Sequence, residues 1–313
     1  MTATLVDSTP VISEPLAGTP DFSTTSRGGW EDPSTRAPTD AATYDGRVPE
    51  LPASVRVALW TSFAWSAGAE PTAVLRRALP DVDLVLGLEE KLDLWRDLGE
   101  QAVYAALPRP GAAGLLPRCG PDAYGATTSA GEAVFVAGVG GLAVPRLVTF
   151  GRNEEATAAG SGTGQRTASR SPGLAVRWES FDADPVPVHR LSGLDVAGVD
   201  RRLRTEVHAA IDRLGDGGWV DAWQRERPSQ VERSWSLPPA LPDRVRGLLV
   251  RAGSILEITD AGLSHAEGSS SVHLRASRSA VLLTLQGAAV EAMETAACAA
   301  SSYFAAQSRT TRS

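Results

Sequence analysis

Ala133-Val134-Phe135-Val136-Ala137-Gly138-Val139-Gly140-Gly141-Leu142-Ala143-Val144-Pro145-Arg146-Leu147-Val148-Thr149-Phe150 is the stretch on which the fold turns. Its portion from Gly138 to Ala143 matches the dinucleotide pattern G-x-G-x-x-A and follows an apolar run of strand character. That mechanism also needs a helix whose N-terminus faces a pyrophosphate, within a strand-helix-strand unit. Pro145 and the β-rich run Arg146 to Phe150 come next instead. The stretch therefore reads as two strands joined by a glycine turn, because glycine supplies the positive φ angles that tight hairpins demand.

Outward from this hairpin, the region 101–190 is dense in glycine and proline, and helical spacing fades. Apolar segments at Ala102 to Leu107, Glu132 to Val136, Leu142 to Phe150 and Leu174 to Phe181 read as strands. Residues 152–171, with Gly160 to Gly164, are low in complexity and read as a mobile loop. They lack the lysine and Ser/Thr of a phosphate-binding loop.

Both flanks are helical. Pro52 opens a helix carrying Val55, Leu59 and Phe63, although Val55, Val57 and Leu59 also alternate as in a strand. A short helix runs from Pro71 to Leu79. A further helix is expected from Asp81 to Leu98, with Leu84, Leu88, Leu92 and Trp95 on one face. After the sheet, Asp195 caps a helix with a stripe of Val196, Val199, Leu203, Val207, Ile211 and Leu214. Asp243 to Thr259 and Ser271 to Ala306 read as two more. The last is alanine-rich, which lets a neighbouring helix approach closely.

The expectation is a helix-dominated α+β protein, with a small, mainly antiparallel sheet from the middle of the chain packed against flanking helices. Its organisation is a disordered leader over 1–49 and one domain over 50–308. That domain is helical over 50–100, β-rich over 101–190 and helical over 191–308. The leader is rich in Thr, Ser, Pro, Asp and Gly and cannot repay its ordering entropy by burial.

Composition narrows function by exclusion. A net charge of −7 over 313 residues argues against nucleic acid and anionic membranes as general partners, since both call for a basic surface. The longest nearly apolar run, Ala133 to Pro145, is far short of the roughly 20 residues of a membrane helix. No charged, apolar leader precedes Arg27, so export is not expected. Cys119 and Cys298 are the two cysteines, which suits a reducing compartment, and Cys298 reads as core. These features predict a soluble cytoplasmic protein.

Chemistry is sparse. Trp178-Glu179-Ser180-Phe181-Asp182-Ala183-Asp184-Pro185-Val186-Pro187-Val188-His189-Arg190 places three carboxylates, a histidine and an arginine where a strand runs into a loop. Asp182 and Asp184 share one side of an extended strand and can hold a divalent cation. His189 can serve as base or ligand and Arg190 can clamp an anion. The competing reading is structural: Asp-Pro and Pro-Val-Pro form loops, and the charges pair to fix them. His208 is an edge residue of its helix, and His265 and His273 match no metal spacing. There is no Cys-x-x-Cys, His-Glu-x-x-His or G-x-S-x-G. Trp219, Trp223 and Trp235 cluster as helix-junction core or as an aromatic surface.

Gly131 to Pro145 and Trp178 to Asp195 resemble segments of uncharacterised conserved actinobacterial proteins, over the region 50–306. Lys91 is the only lysine among 30 basic residues, a bias that suits a GC-rich source. The resemblance implies no activity, cofactor or site. The function expected is a non-enzymatic cytoplasmic role in interaction or regulation, with a protein partner or a homodimer through the C-terminal helix. The alternative is a small-molecule- or metal-binding enzyme built on Asp182, Asp184, His189 and Arg190. No cofactor is assigned.

Overall fold

The computed structural model describes residues 51–69, 71–150, 173–214, 237–265 and 272–312. The expected leader 1–49, the loop 152–171 and Trp219, Trp223 and Trp235 lie outside the described residues.

Helix α1 (Ala53–Ser66) settles the ambiguity at Val55 to Leu59 in favour of helix. Val55, Val57, Ala58, Leu59, Ala64 and Trp65 are all buried, so the helix is enclosed on nearly every side and has no polar face. That enclosure is why its pattern mimics a strand. Ser62, also buried, is satisfied by the backbone of Val103: its Oγ both donates to the carbonyl and accepts from the N–H, each at 3.0 Å. Arg56 is buried and paired with Asp81 at 2.7 Å. Helix α2 (Pro71–Ala78) follows, and Pro80 prevents its continuation.

The helix expected over Asp81 to Leu98 is instead two elements, β1 (Leu84–Leu86) and α3 (Glu89–Asp97). The break is Gly87, at φ 77°, where a Cβ would lie 2.7 Å from the Trp178 carbonyl oxygen. Only glycine passes that strand so closely. Leu88, Leu92 and Trp95 are buried as the periodicity predicts, whereas Leu84 belongs to the strand and is 45% exposed.

The sheet is completed by β2 (Tyr104–Ala106), β3 (Ala133–Phe135), β4 (Leu142–Phe150) and β5 (Gly173–Phe181), with α4 (Pro121–Ala130) between β2 and β3. Its order is β1-β5-β4-β3-β2. Three pairings are antiparallel and β1 runs parallel to β5, with Leu84 opposite Ala175, so the sheet is mixed. Asp83 extends that parallel pairing by accepting the Leu174 N–H on its side chain at 2.8 Å.

The glycine run is the β3–β4 turn. Gly140 and Gly141 have φ of 78° and 95°. Gly140 lies against the Ala183 carbonyl, where a Cβ would be 2.2 Å away. Glu100 accepts the Val139 N–H at 2.5 Å. No helix follows, which removes the dinucleotide reading.

Side-chain alternation divides the sheet between two cores. Val103, Ala105, Val134, Val136 and Trp178 face α1 and the C-terminal helices. Ala102, Tyr104, Phe135, Leu142 and Val144 face a smaller cluster with Leu116, Val186, Leu191 and Cys298. The C-terminal part comprises α5 (Val188–Ser192), α6 (Val196–Leu214), α7 (Asp243–His265) and α8 (Val272–Arg312). On α6, Val199 and Leu203 are buried, but the stripe drifts so that Ala210 is buried and Ile211 exposed. The alanines of α8 lie within the chain: Ala289, Ala292, Ala296, Ala297 and Ala300 are fully buried, and Phe304 meets Phe63 of α1 edge-on with ring centroids 5.5 Å apart. No described helix is long and apolar enough to cross a membrane.

Candidate functional site

After β2 the chain turns at Arg109-Pro110-Gly111-Ala112. Arg109 and Ala112 exchange backbone hydrogen bonds of 2.8 and 2.9 Å, and Gly111 takes φ 82°, the Pro-Gly signature of a type II turn. The segment then doubles back, so that the N–H groups of Leu107 and Leu115 both donate to Glu294 Oε1, at 2.8 and 3.0 Å. One carboxylate oxygen from α8 thus closes the base of this loop.

Gly287, Val290, Glu291, Glu294 and Thr295 recur at the i, i+3, i+4, i+7, i+8 spacing of a single helix face. Opposite them stand the loop residues Leu107 to Leu115 and the entry to α6, namely Gly193, Leu194 and Asp195, followed by Val199 and Arg202. Together they enclose a cleft of about 580 Å³, within the range of small-molecule sites. A shallower hollow of about 380 Å³ adjoins it at Asp195 and Arg202.

Most of the charges in the cleft have defined partners. Asp195 Oδ1 accepts the Gly198 N–H at 2.8 Å and caps α6, as the sequence suggests. Glu291 pairs with Arg202 at 2.7 Å. Behind the wall, Asp200 binds Arg204 at 2.7 Å and also Arg251, tying α6 to α7. Glu294 is only 4% exposed. Burial pushes its carboxyl above the ordinary carboxylate value, against the two backbone N–H groups; Glu291 adds to the rise and Arg190 opposes it. Arg109 is half-buried, and burial lowers its guanidinium from the usual value, with Asp260 opposing.

The residues singled out in the sequence lie elsewhere. Asp182 and Asp184 are exposed beyond the end of β5. Their segment is laced down by its backbone: the Asp184 N–H donates to Arg118 at 2.8 Å, Ala183 accepts from Gly141 at 3.1 Å, and the Val186 N–H donates to Ala137 at 2.9 Å. His189 and Arg190 are exposed on α5. No hydrogen bond or ion pair joins any two of these four side chains, and none of them lines the cleft. Arg190 reaches it only through its field on Glu294. Among the described residues no group of three or more His, Cys, Asp and Glu is placed to hold a metal ion. His208 is exposed on α6, its Nδ1 2.7 Å from the Arg204 carbonyl.

Two family models match successive parts of the chain: the Rv1486c-like protein N-terminal domain over residues 54–191, and its C-terminal domain over residues 197–294. The chain belongs to the Rv1486c-like family. No curated protein and no solved structure matches it. Of the two stretches that carry the resemblance, Gly131 to Pro145 falls inside the N-terminal match and Trp178 to Asp195 runs across its end. In this Rv1486c-like chain the cleft sits on the seam between the matches. Leu107 to Leu115 come from the N-terminal domain, Gly193 to Asp195 from the link, and Val199, Arg202 and the α8 face almost wholly from the C-terminal domain.

Sequence reading missed this site because Leu107 and Glu294 are 187 residues apart. Two signals were available: the Pro-Gly turn beside an arginine, and two glutamates with a glycine on one face of an otherwise alanine-rich helix.

Proposed function

We propose that the chain is a non-catalytic small-molecule-binding protein with a regulatory role, and that its ligand occupies the cleft on the seam between the two family domains. The observation that carries this reading is a cavity of about 580 Å³ walled by both domains, so that an occupant contacts both at once. A non-catalytic role is supported by the structural engagement of the acidic side chains in the cleft. Its carboxylates already cap α6, pair with Arg202 and accept the loop N–H groups.

The same proposal places the protein in the cytoplasm of an actinobacterium, supported by free Cys119 and Cys298 and by the arginine bias. It keeps nucleic acid out of the partner list on charge grounds. A homodimer through α8 would use the outer face of that helix, where Leu283 is 55% exposed, since the alanines are already covered.

The test is a thermal-shift screen of the full chain against divalent metals, nucleotides and common metabolites, run beside Gly287→Leu and the double substitution Asp182→Ala/Asp184→Ala. Binding raises the melting temperature by mass action. A shift lost in Gly287→Leu and kept in the double variant supports the cleft. A shift lost in the double variant and kept in Gly287→Leu moves the site to the acidic loop and overturns the proposal. No shift with any compound also overturns it, in favour of a protein partner.

A further inference from the structure

The unspent charge in the cleft is a cation. Glu291 is neutralised by Arg202, Asp195 caps α6, and Glu294 Oε1 holds the N–H groups of Leu107 and Leu115. Arg109 lines the same cleft, half-buried, and its guanidinium makes no hydrogen bond or ion pair with any described residue, although the field of Asp260 acts on it. The backbone of Arg109 is fixed by the type II turn, so its side chain projects from a rigid support. Leu107, Leu115, Leu194, Val199 and Val290 give the cleft an apolar wall, beside the polar side chains of Asp195, Arg202, Glu291, Glu294 and Thr295.

Resting on the cleft reading above, we propose that the ligand is an amphiphilic monocarboxylate, its head on the Arg109 guanidinium and its apolar body along the leucine and valine walls. The planar guanidinium fork matches a carboxylate in two parallel hydrogen bonds. Among the described residues Arg109 is the one guanidinium in the lining not already paired, Arg202 being held by Glu291, and the carboxylates Asp195, Glu291 and Glu294 nearby oppose a further negative charge, so a monoanion is favoured over a phosphate dianion. The α8 face from Gly287 to Thr295 gives a floor about 12 Å long, room for an extended acyl chain. Gly287 adds a means of testing this: a Cβ built on it meets nothing within 4 Å, so a larger side chain there projects into open space and leaves the helix undisturbed.

The experiment measures binding of decanoate, decanol and decylamine, below their aggregation limits, to the full chain by titration calorimetry. The same series is run on Arg109→Gln and Gly287→Leu, with circular dichroism confirming the fold of each. The expected result is decanoate bound about tenfold or more tighter than either other probe, the worth of one charge-assisted hydrogen bond. Arg109→Gln should abolish that preference, and Gly287→Leu should weaken all binding. If the three probes bind alike, respond to Gly287→Leu and ignore Arg109→Gln, the carboxylate inference falls and the cleft reading stands. A preference for decylamine overturns the inference equally. If no probe binds, or binding ignores Gly287→Leu, the inference also falls, and the metabolite screen decides the cleft reading separately.

Discussion

Gly114 lies against Glu294 so closely that a Cβ on the glycine would fall 2.5 Å from Oε1 and 2.6 Å from Oε2. The glycine also takes φ 58°, a conformation that side chains oppose. The loop over the cleft is therefore shaped around a carboxylate on the far helix. Gly114→Ala is expected to lower stability by about 2 kcal/mol, combining backbone strain with a displaced, hydrogen-bonded carboxylate. Urea denaturation checks this, and an unchanged midpoint would mean that the loop adjusts freely.

Glu294 should couple stability to pH. Because burial raises its carboxyl in the folded state, the native protein holds that proton more tightly than the unfolded chain does. The resulting stabilisation is present below the ordinary carboxylate value and is lost as pH rises through the raised one. Glu294→Gln, neutral throughout and still able to accept both N–H groups, is expected to melt at or above the parent at pH 7 and to show a flatter profile from pH 4.5 upward. Glu132, raised in the same sense by burial, leaves part of the slope in place. Glu294→Ala strands the Leu107 and Leu115 amides and should cost about 2–4 kcal/mol. Equal losses in the two variants at pH 7 would refute this account.

Gly287→Ala should stabilise the protein by about 0.8–1 kcal/mol, the helix-propensity difference at an interior position with open space around it. A rise in melting temperature is the readout, and a fall would show that the cleft floor needs the bare backbone.

The two thiols should separate cleanly. Cys298 is fully buried, its Sγ–H donating to the Ala105 carbonyl at 3.1 Å, and burial pushes its pKa strongly upward. Cys119 is half-exposed, raised by burial and then by Asp184. Ellman's reagent should modify Cys119 alone in the native protein, slowly at pH 8 and faster in Asp184→Asn, and both thiols in denaturant. Rapid native labelling of Cys298 would contradict the packing of α8 on the sheet.

How far the sequence reached depended on distance along the chain. The β3–β4 hairpin was legible because its glycine run and flanking apolar segments are contiguous, and β5 because it is bounded by turn formers. Leu84 was misplaced because its spacing of four from Leu88 imitates a helix, while the partner that makes it a strand, Ala175 on β5, is remote. The acidic stretch around Asp182 drew attention through its density of charge, but that density lies on the surface and its backbone is spent on Arg118, Ala137 and Gly141. The local signals of the cleft, a Pro-Gly turn beside Arg109 and two glutamates with a glycine on one face of α8, are weak taken singly. Arg109 and Glu294 look ordinary until the loop and the last helix meet.

Helix α1 has no face of its own to give to water, and its covering comes from both directions along the chain: α2 and the sheet before residue 192, and α8 after it. Cutting the gene at the junction between the family matches would therefore yield an N-terminal product with its central rod stripped on one side. Co-produced as two separate polypeptides, the fragments should find each other and restore one enclosed interior; produced singly, each should collapse onto itself or onto its neighbours.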